Sequence, residues 1–149
     1  MNNNLIITIG REYGTGGREI GQKLALRLGI PFYDRELITR AAKKTGFDEK
    51  LFEQLDKRAT NSFLYSLTMF GSVGLNGMSL TDQLYLAQAN IIREMAEDSS
   101  CVIVGRCADH VLRDFPNKFD FFIHGSIEDR VKRIQTCGDY EIEGKTPEA

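Results

Sequence analysis

The chain lacks any apolar run long enough to cross a bilayer. Its longest apolar stretches, such as Leu5–Ile9 and Cys101–Val104, fall far below the roughly 20 residues that a transmembrane helix needs. The first residues carry no positively charged segment and no small-residue cleavage site, so nothing indicates export. We therefore expect a cytoplasmic protein with no membrane partner.

A large net charge is also missing. The 19 Lys and Arg residues stand against 21 Asp and Glu residues, which gives a net charge of −2. Without an excess of positive charge, no global field attracts nucleic acid or anionic lipid. We expect no nucleic-acid partner, and any phosphate binding must depend on a local group of residues.

Patterns typical of disulfide frameworks and metal centres are absent as well. The three cysteines, Cys101, Cys107 and Cys137, are odd in number and have no CxxC spacing, which fits a reducing compartment better than a disulfide or zinc framework. His110 and His124 are isolated and lack metal-ligand partners at a recognisable spacing. We interpret the cysteines as structural and predict no metal-ligating residues.

The composition is that of one globular domain. A chain of 149 residues with 42% hydrophobic and 27% charged residues is long enough for one core and too short for two ordinary ones. We therefore predict a single domain over residues 1–149. Within it, residues 60–78 hold Gly71, Gly74 and Gly77 among apolar residues, which favours a mobile insertion.

Apolar runs alternate with helix-period segments along the chain. Four short runs rich in apolar residues predict buried strands: Leu5–Ile9, Ile30–Tyr33, Cys101–Val104 and Phe119–Ile123. Helical spacing predicts inward-facing residues in three helices: Ile20, Leu24 and Leu28 before Gly29; Leu84, Ala87, Ile91, Ile92 and Met95 before Asp98; and Ile127, Val131 and Ile134 after Ser126. Further helices are predicted after Asp34 and Asp48, and a short one near 108–113. Parallel strands need crossover helices, so the pattern predicts an α/β fold, a three-layer parallel sheet with helices on both faces.

A glycine-rich loop follows the first predicted strand. Residues 10–18 read Gly-Arg-Glu-Tyr-Gly-Thr-Gly-Gly-Arg and lead into a helix, whose N-terminus favours an anion. The standard P-loop spacing is not satisfied, because Gly17 stands where the lysine is expected. Arg18 or Arg11 could supply the cation, since a guanidinium binds phosphate oxygens. We favour phosphate binding over a tight turn whose glycines only permit close packing.

A dinucleotide-binding loop is the alternative on pattern alone. Asp34 lies after the second predicted strand, about 20 residues past Gly14, where a ribose-binding acid would stand. The GxGxxG spacing from Gly14, however, requires a glycine at position 19, and the chain has Glu19. A carboxylate there would also bring the wrong charge to a pyrophosphate.

Three segments together resemble the cytidylate kinase-like proteins, namely Ile7–Gly21, Ile30–Asp34 and Val102–Asp109. These proteins are similar to bacterial cytidylate kinases among the P-loop nucleoside monophosphate kinases. The likeness covers nearly the whole chain, with the segments in the right order. It implies a phosphotransferase of the P-loop NTPase fold that moves the γ-phosphoryl group of ATP to a nucleoside monophosphate, by default CMP, with Mg²⁺ as a second cofactor. Such chemistry is mostly positioning and charge neutralisation.

The resemblance also implies roles for individual residues. The glycine loop would hold ATP through Arg11, Gly14, Thr15, Gly16, Gly17 and Arg18. The acceptor would be bound by Asp34, Arg106 and Asp109, where Asp109 replaces the family's aspartate at the position of Cys107. The catalytic cations would be Arg18, Arg106, Arg130 and Arg133, the last two lying where the family begins its arginine-bearing lid. Simpler interpretations stay open: Asp34 and Asp109 as helix-start residues, and Arg130 and Arg133 as a solvated basic face.

The end of the chain departs from the family pattern. Residues 138–149 are acidic and cannot serve as an arginine lid, so we expect the lid helix and the final strand to be missing. Two other hypotheses remain: a non-catalytic sensor of nucleotide or phosphate, and a kinase for another small molecule on the same fold. The acceptor base and the oligomeric state are not fixed by the sequence.

Overall fold

The computed structural model describes residues 3–34 and 80–137. The predicted helices after Asp34 and Asp48, the predicted insertion at 60–78 and the acidic residues 138–149 lie outside these ranges. The prediction of a single domain over the full chain therefore stays a prediction. Among the described residues, no helix combines the length and the hydropathy that a membrane crossing needs.

Four strands form one parallel sheet in the described part of the chain. The elements, in chain order, are β1 (Ile6–Arg11), α1 (Gly17–Leu28), β2 (Phe32–Tyr33), α2 (Leu80–Asp98), β3 (Cys101–Val104), α3 (Ala108–Val111), β4 (Lys118–Ile123) and α4 (Ile127–Thr136). The strand order is β2-β3-β1-β4. Ile6 of β1 is in register with Cys101 of β3 and with Lys118 of β4. The predicted α/β fold with a parallel sheet is confirmed.

Buried side chains alternate between the two faces of this sheet. On one face, Ile7, Ile9, Val102 and Val104 of the strands pack in one cluster with Ala25 of α1. On the other face, the cluster of strand and helix residues consists of Ile6, Ala89, Ile92, Ala96, Cys101, Ile103, Ala108, Val111 and Leu112. Because strand side chains point alternately to opposite faces, strands that are apolar at successive positions suit a sheet covered on both sides. The three-layer arrangement is confirmed.

The buried side of α1 differs from the predicted one. Ile20 and Leu28 are 43% and 46% exposed, whereas Gly17, Gly21 and Ala25 are buried. A Cβ added at Gly21 would lie 2.8 Å from Cγ2 of Val104. The prediction of Ile20 and Leu28 as inward-facing was wrong, because the helix lies so close to the sheet that only small residues fit between them. Gly29 ends α1 in the left-handed conformation, with φ 64°, as expected of a C-cap.

The long helix α2 matches its prediction in part. Ile91 and Ile92 are buried, whereas Ala87 and Met95 are only half-buried. The side chain of Leu84 is not described. The helix ends at Asp98, as predicted.

The fourth strand and the last helix are far more exposed than predicted. Phe119, Phe121 and Phe122 of β4 are each more than half exposed, and Ile127 of α4 is 70% exposed. In the described part of the chain, β4 pairs with β1 alone, so it forms one edge of the sheet. The prediction of a buried fourth strand was wrong, and so was that of an inward-facing Ile127, because no residue of α4 is fully buried.

Candidate functional site

Three strand ends meet at one edge of the sheet. The glycine loop follows β1, Asp34 follows β2, and Gly105–Arg106 follows β3. Since the strands are parallel, all three segments lie at the carboxyl edge, where α/β proteins bind ligands. Three of the predicted site segments therefore share one edge, and their binding roles stay predictions.

The Arg11 side chain connects the glycine loop with the end of β3. A Cβ added at Gly17 would lie 2.7 Å from Cβ of Arg11, and one added at Gly105 would collide with the Arg11 guanidinium. Arg11 therefore reaches from the N-terminus of α1 to the residue that precedes Arg106. Glycine at positions 17 and 105 is what leaves room for it.

The glycine loop leaves the start of α1 without a side-chain cap. Gly14 and Gly16 adopt left-handed φ angles of 84° and 76°, which favour glycine. The Thr15 hydroxyl donates to the Glu12 carbonyl over 2.8 Å, so it fixes the loop rather than the helix. Gly16 is the N-cap and offers no side-chain hydrogen bond. The first N–H groups of a helix lack partners within the helix, and an anion is one group that can satisfy them.

Arg18 and Asp34 form an ion pair. Both Nε and Nη2 of Arg18 lie 2.7 Å from Oδ2 of Asp34. The Asp34 side chain is 8% exposed and that of Arg18 is 52% exposed. A residue predicted to bind ATP and one predicted to bind the acceptor are thus joined, so Arg18 anchors the end of β2 to the first turn of α1.

Helix α4 lies directly against the glycine loop. Nε of Arg130 donates to the Tyr13 carbonyl over 2.6 Å. A Cβ added at Gly14 would lie 2.9 Å from the Arg130 carbonyl oxygen, and one added at Gly16 would lie 2.7 Å from Cζ of Arg133. The structure therefore brings both predicted lid arginines to the loop. Their catalytic role stays a prediction.

Two glutamates that the sequence analysis gave no binding role hold these arginines. Arg133 pairs through Nη2 with Glu19 in the first turn of α1. Nη1 of Arg130 lies 3.4 Å from Oε2 of Glu12. Hydrogen bonds from Lys23 and from Arg133 lower the pKa of Glu19. The sequence signal for these contacts was the presence of acids in and beside a loop expected to bind phosphate.

Glu12 also ties the loop to the start of α4. Its carboxylate accepts a hydrogen bond from the Gly125 N–H over 3.2 Å, and its own N–H donates to the Ile123 carbonyl over 3.0 Å. Ser126 then caps α4 by accepting from the Asp129 N–H over 3.1 Å. The predicted cap is confirmed, and these contacts fix where α4 begins relative to the loop.

The segment after β3 has an unusual backbone. Gly105, Arg106 and Cys107 have φ angles of 77°, 61° and 53°. Positive φ is uncommon in residues other than glycine and costs of order 1–3 kcal/mol each. Burial lowers the pKa of the half-buried Arg106 guanidinium, because a charge removed from water is costly.

The remaining features of the predicted site are the position of Asp109 and the possibility of a metal site. Asp109 is exposed in the first turn of α3, as a helix-start residue would be. Across residues 3–34 and 80–137, no three His, Cys, Asp or Glu side chains come together in a way that could hold a metal ion. The described residues therefore do not form a protein cage for Mg²⁺.

Comparisons with known proteins identify the family and support the fold of this chain. A family model described as the cytidylate kinase-like family matches residues 6–143. No curated protein matches the chain. A crystal structure of an uncharacterized protein from Eubacterium ventriosum is similar, with 31% sequence identity and a TM-score of 0.61. The alignment covers 89% of this chain and 60% of that protein, so this chain matches only part of the neighbour's length. The family match extends over most of the sequence, and the chain belongs to the cytidylate kinase-like family.

Proposed function

We propose that the protein transfers the γ-phosphoryl group of ATP to a nucleoside monophosphate, with CMP as the first acceptor to test. The observation that carries this proposal is the arrangement at the carboxyl edge. There a glycine loop without a side-chain cap, Arg11 and Arg106 converge from β1 and β3. Membership in a family of cytidylate kinase-like proteins supports a nucleotide as the ligand.

The donor phosphates are assigned to the glycine loop. The N-terminus of α1 supplies N–H groups and the positive end of the helix dipole. The Arg11 side chain passes Gly17, the position at which a P-loop would carry lysine, and its guanidinium lies beside Gly105 at the end of β3. Because this side chain runs along the start of α1, we assign the phosphate-neutralising role mainly to Arg11. Arg18 then positions Asp34 and contributes charge at longer range.

The acceptor phosphate is assigned to Arg106. Its guanidinium is half-buried, so its charge is less screened by water than that of a surface arginine. A guanidinium also binds phosphate oxygens in pairs, which fixes orientation as well as charge. Asp34, buried at the end of β2, would order the acceptor side of the same edge.

Magnesium belongs to the nucleotide in this proposal. Mg²⁺ is usually held by one or two carboxylates together with substrate phosphates and water, which suits a site without a cluster of acidic ligands in its described part. When bound, the ion neutralises phosphate charge. We derive no step of the reaction from it.

A coupled product assay with ATP, Mg²⁺ and individual nucleoside monophosphates tests the proposal. Arg106→Gln should raise the KM for the monophosphate about 10–100-fold, because a hydrogen bond to a charged group contributes about 1.5–3 kcal/mol, and it should leave the KM for ATP within twofold. Arg11→Gln should chiefly raise the KM for ATP. Arg27→Gln, an exposed charge in the last turn of α1, is the matched control.

Three outcomes would change the assignment. Equal losses for ATP and monophosphate in Arg106→Gln would contradict the separation of donor and acceptor residues. Binding of ATP without transfer to any acceptor would favour the sensor hypothesis. Transfer only to an acceptor outside the monophosphates would favour another small-molecule kinase.

A further inference from the structure

Two carboxylates form ion pairs with arginines beside the loop that we assign to phosphate. Glu19 lies in the first turn of α1 and pairs with Arg133, and Glu12 lies within the loop segment and faces Arg130. A carboxylate near a phosphate-binding loop repels the ligand. Both acids are nevertheless accommodated, because each has an arginine of α4 as its partner.

The same contacts place α4 over the loop glycines. Gly14, Gly16 and Gly17 are buried. The space next to Gly14 is taken by the Arg130 backbone, and the space next to Gly16 by the Arg133 guanidinium. Arg130 and Arg133 of α4 therefore lie within contact distance of the loop that we assign to phosphate.

In the described part of the chain, several polar contacts join α4 to the loop. No residue of α4 is fully buried, whereas Arg130 and Arg133 contact Tyr13, Glu12 and Glu19. Ion pairs that are partly exposed to water are weak and are readily exchanged for other partners. Phosphate oxygens compete for the same guanidinium N–H groups and carry more charge than a carboxylate.

We propose that Glu12 and Glu19 form an internal acid latch: without nucleotide they hold Arg130 and Arg133, and thereby α4, over the glycine loop, and a nucleoside polyphosphate displaces them. The glutamates thus regulate access to the loop and lower its apparent affinity for polyphosphate. This inference rests on the proposed function, because it takes the glycine loop as the phosphate site.

Calorimetric titration with inorganic tripolyphosphate and with ATP tests the latch. Glu19→Gln should tighten the binding of both ligands at least threefold, since the amide keeps the shape of the side chain and removes the competing charge. Glu94→Gln, which removes an exposed carboxylate from α2, controls for the change in net charge and should shift neither affinity by more than about 1.5-fold.

Hydrogen exchange of α4 supplies a second, ligand-independent measurement. In the free protein, Glu19→Gln should speed amide exchange over residues 127–136 relative to wild type, and Glu94→Gln should not. Unchanged or weaker tripolyphosphate binding in Glu19→Gln would overturn the latch and make Glu19 a residue that positions Arg133 for the ligand. If wild type and Glu19→Gln both bind neither ligand, the proposed function fails; unchanged exchange over α4 in Glu19→Gln would by itself overturn the latch.

Discussion

The replacement of Gly21 by valine tests how closely α1 lies on the sheet. A Cβ at this position would lie 2.8 Å from Val104, 3.0 Å from Phe32 and 3.3 Å from Ile9. The first of these distances is roughly 0.7 Å shorter than ordinary carbon contact of about 3.5 Å. Val104 is 1% exposed and Ile9 is 2% exposed, so neither can turn aside into water.

The expected cost follows from two opposing terms. Overpacking a well-packed core costs about 1–3 kcal/mol, and the better helix propensity of valine returns only a few tenths of a kcal/mol. We therefore expect Gly21→Val to lower the free energy of unfolding by about 2 kcal/mol, which urea denaturation followed by circular dichroism would show as a lower midpoint with an unchanged slope.

The C-cap glycine that follows α1, Gly29, provides the control. Gly29 has φ 64° and nothing within 4 Å of an added Cβ, and asparagine tolerates this conformation. Gly29→Asn should change stability by less than about 0.5 kcal/mol. A Gly21→Val protein as stable as Gly29→Asn would refute the close approach of α1 to β3.

Three further predictions concern other parts of the fold. Burial raises the pKa of the Cys101 thiol to about 11, so a thiol reagent at pH 8 should modify exposed Cys107 quickly and Cys101 only on unfolding; equal rates would contradict the burial of β3. The folded state retains the Cys101 proton to a higher pH than the unfolded state does. The stability contributed by this difference is complete below about pH 9 and is lost as the pH rises through about 11, and Cys101→Ala should remove this pH dependence. Partial burial of Asp120 opposes its ionisation, but the hydrogen bonds from Lys118 and Thr8, together with the charge of Lys118, outweigh this effect and lower the pKa of Asp120. Asp120→Asn should therefore cost about 1 kcal/mol in urea denaturation at pH 7, and less as the pH falls below about 4, because the unfolded chain takes up this proton before the folded protein does; a constant difference would exclude this cause. Ser126→Ala removes a helix cap that contributes about 1 kcal/mol, so amide exchange over α4 should quicken about fivefold while the global midpoint hardly moves; unchanged exchange would contradict the role of the cap.

The positions of the four strands and the three-layer arrangement were predictable, because apolar runs that alternate with helices specify a parallel sheet. The exposure of β4 was not predictable, because its own residues do not show that it forms an edge of the described sheet. The packing side of α1 was not, because the apolar spacing of Ile20, Leu24 and Leu28 is as regular as the small-residue spacing of Gly17, Gly21 and Ala25. Hydrophobic periodicity assumes that the largest apolar residues face the core. Here the helix lies too close to the sheet for them, so steric fit decided the orientation and Ile20 and Leu28 remain exposed.

The features of the site likewise fall into those that local sequence predicts and those that depend on long-range contacts. Local chemistry fixed the glycine loop, the residues at the strand ends and the Ser126 cap, since each depends on neighbours along the chain. Long-range ion pairs were beyond sequence spacing, because Arg133 meets Glu19 across 114 positions. Glu19 has the wrong charge for a phosphate site when its sequence position is considered alone, and the structure supplies its partner in Arg133. The strength of this pair sets how readily an incoming phosphate can replace the acid in the proposed latch.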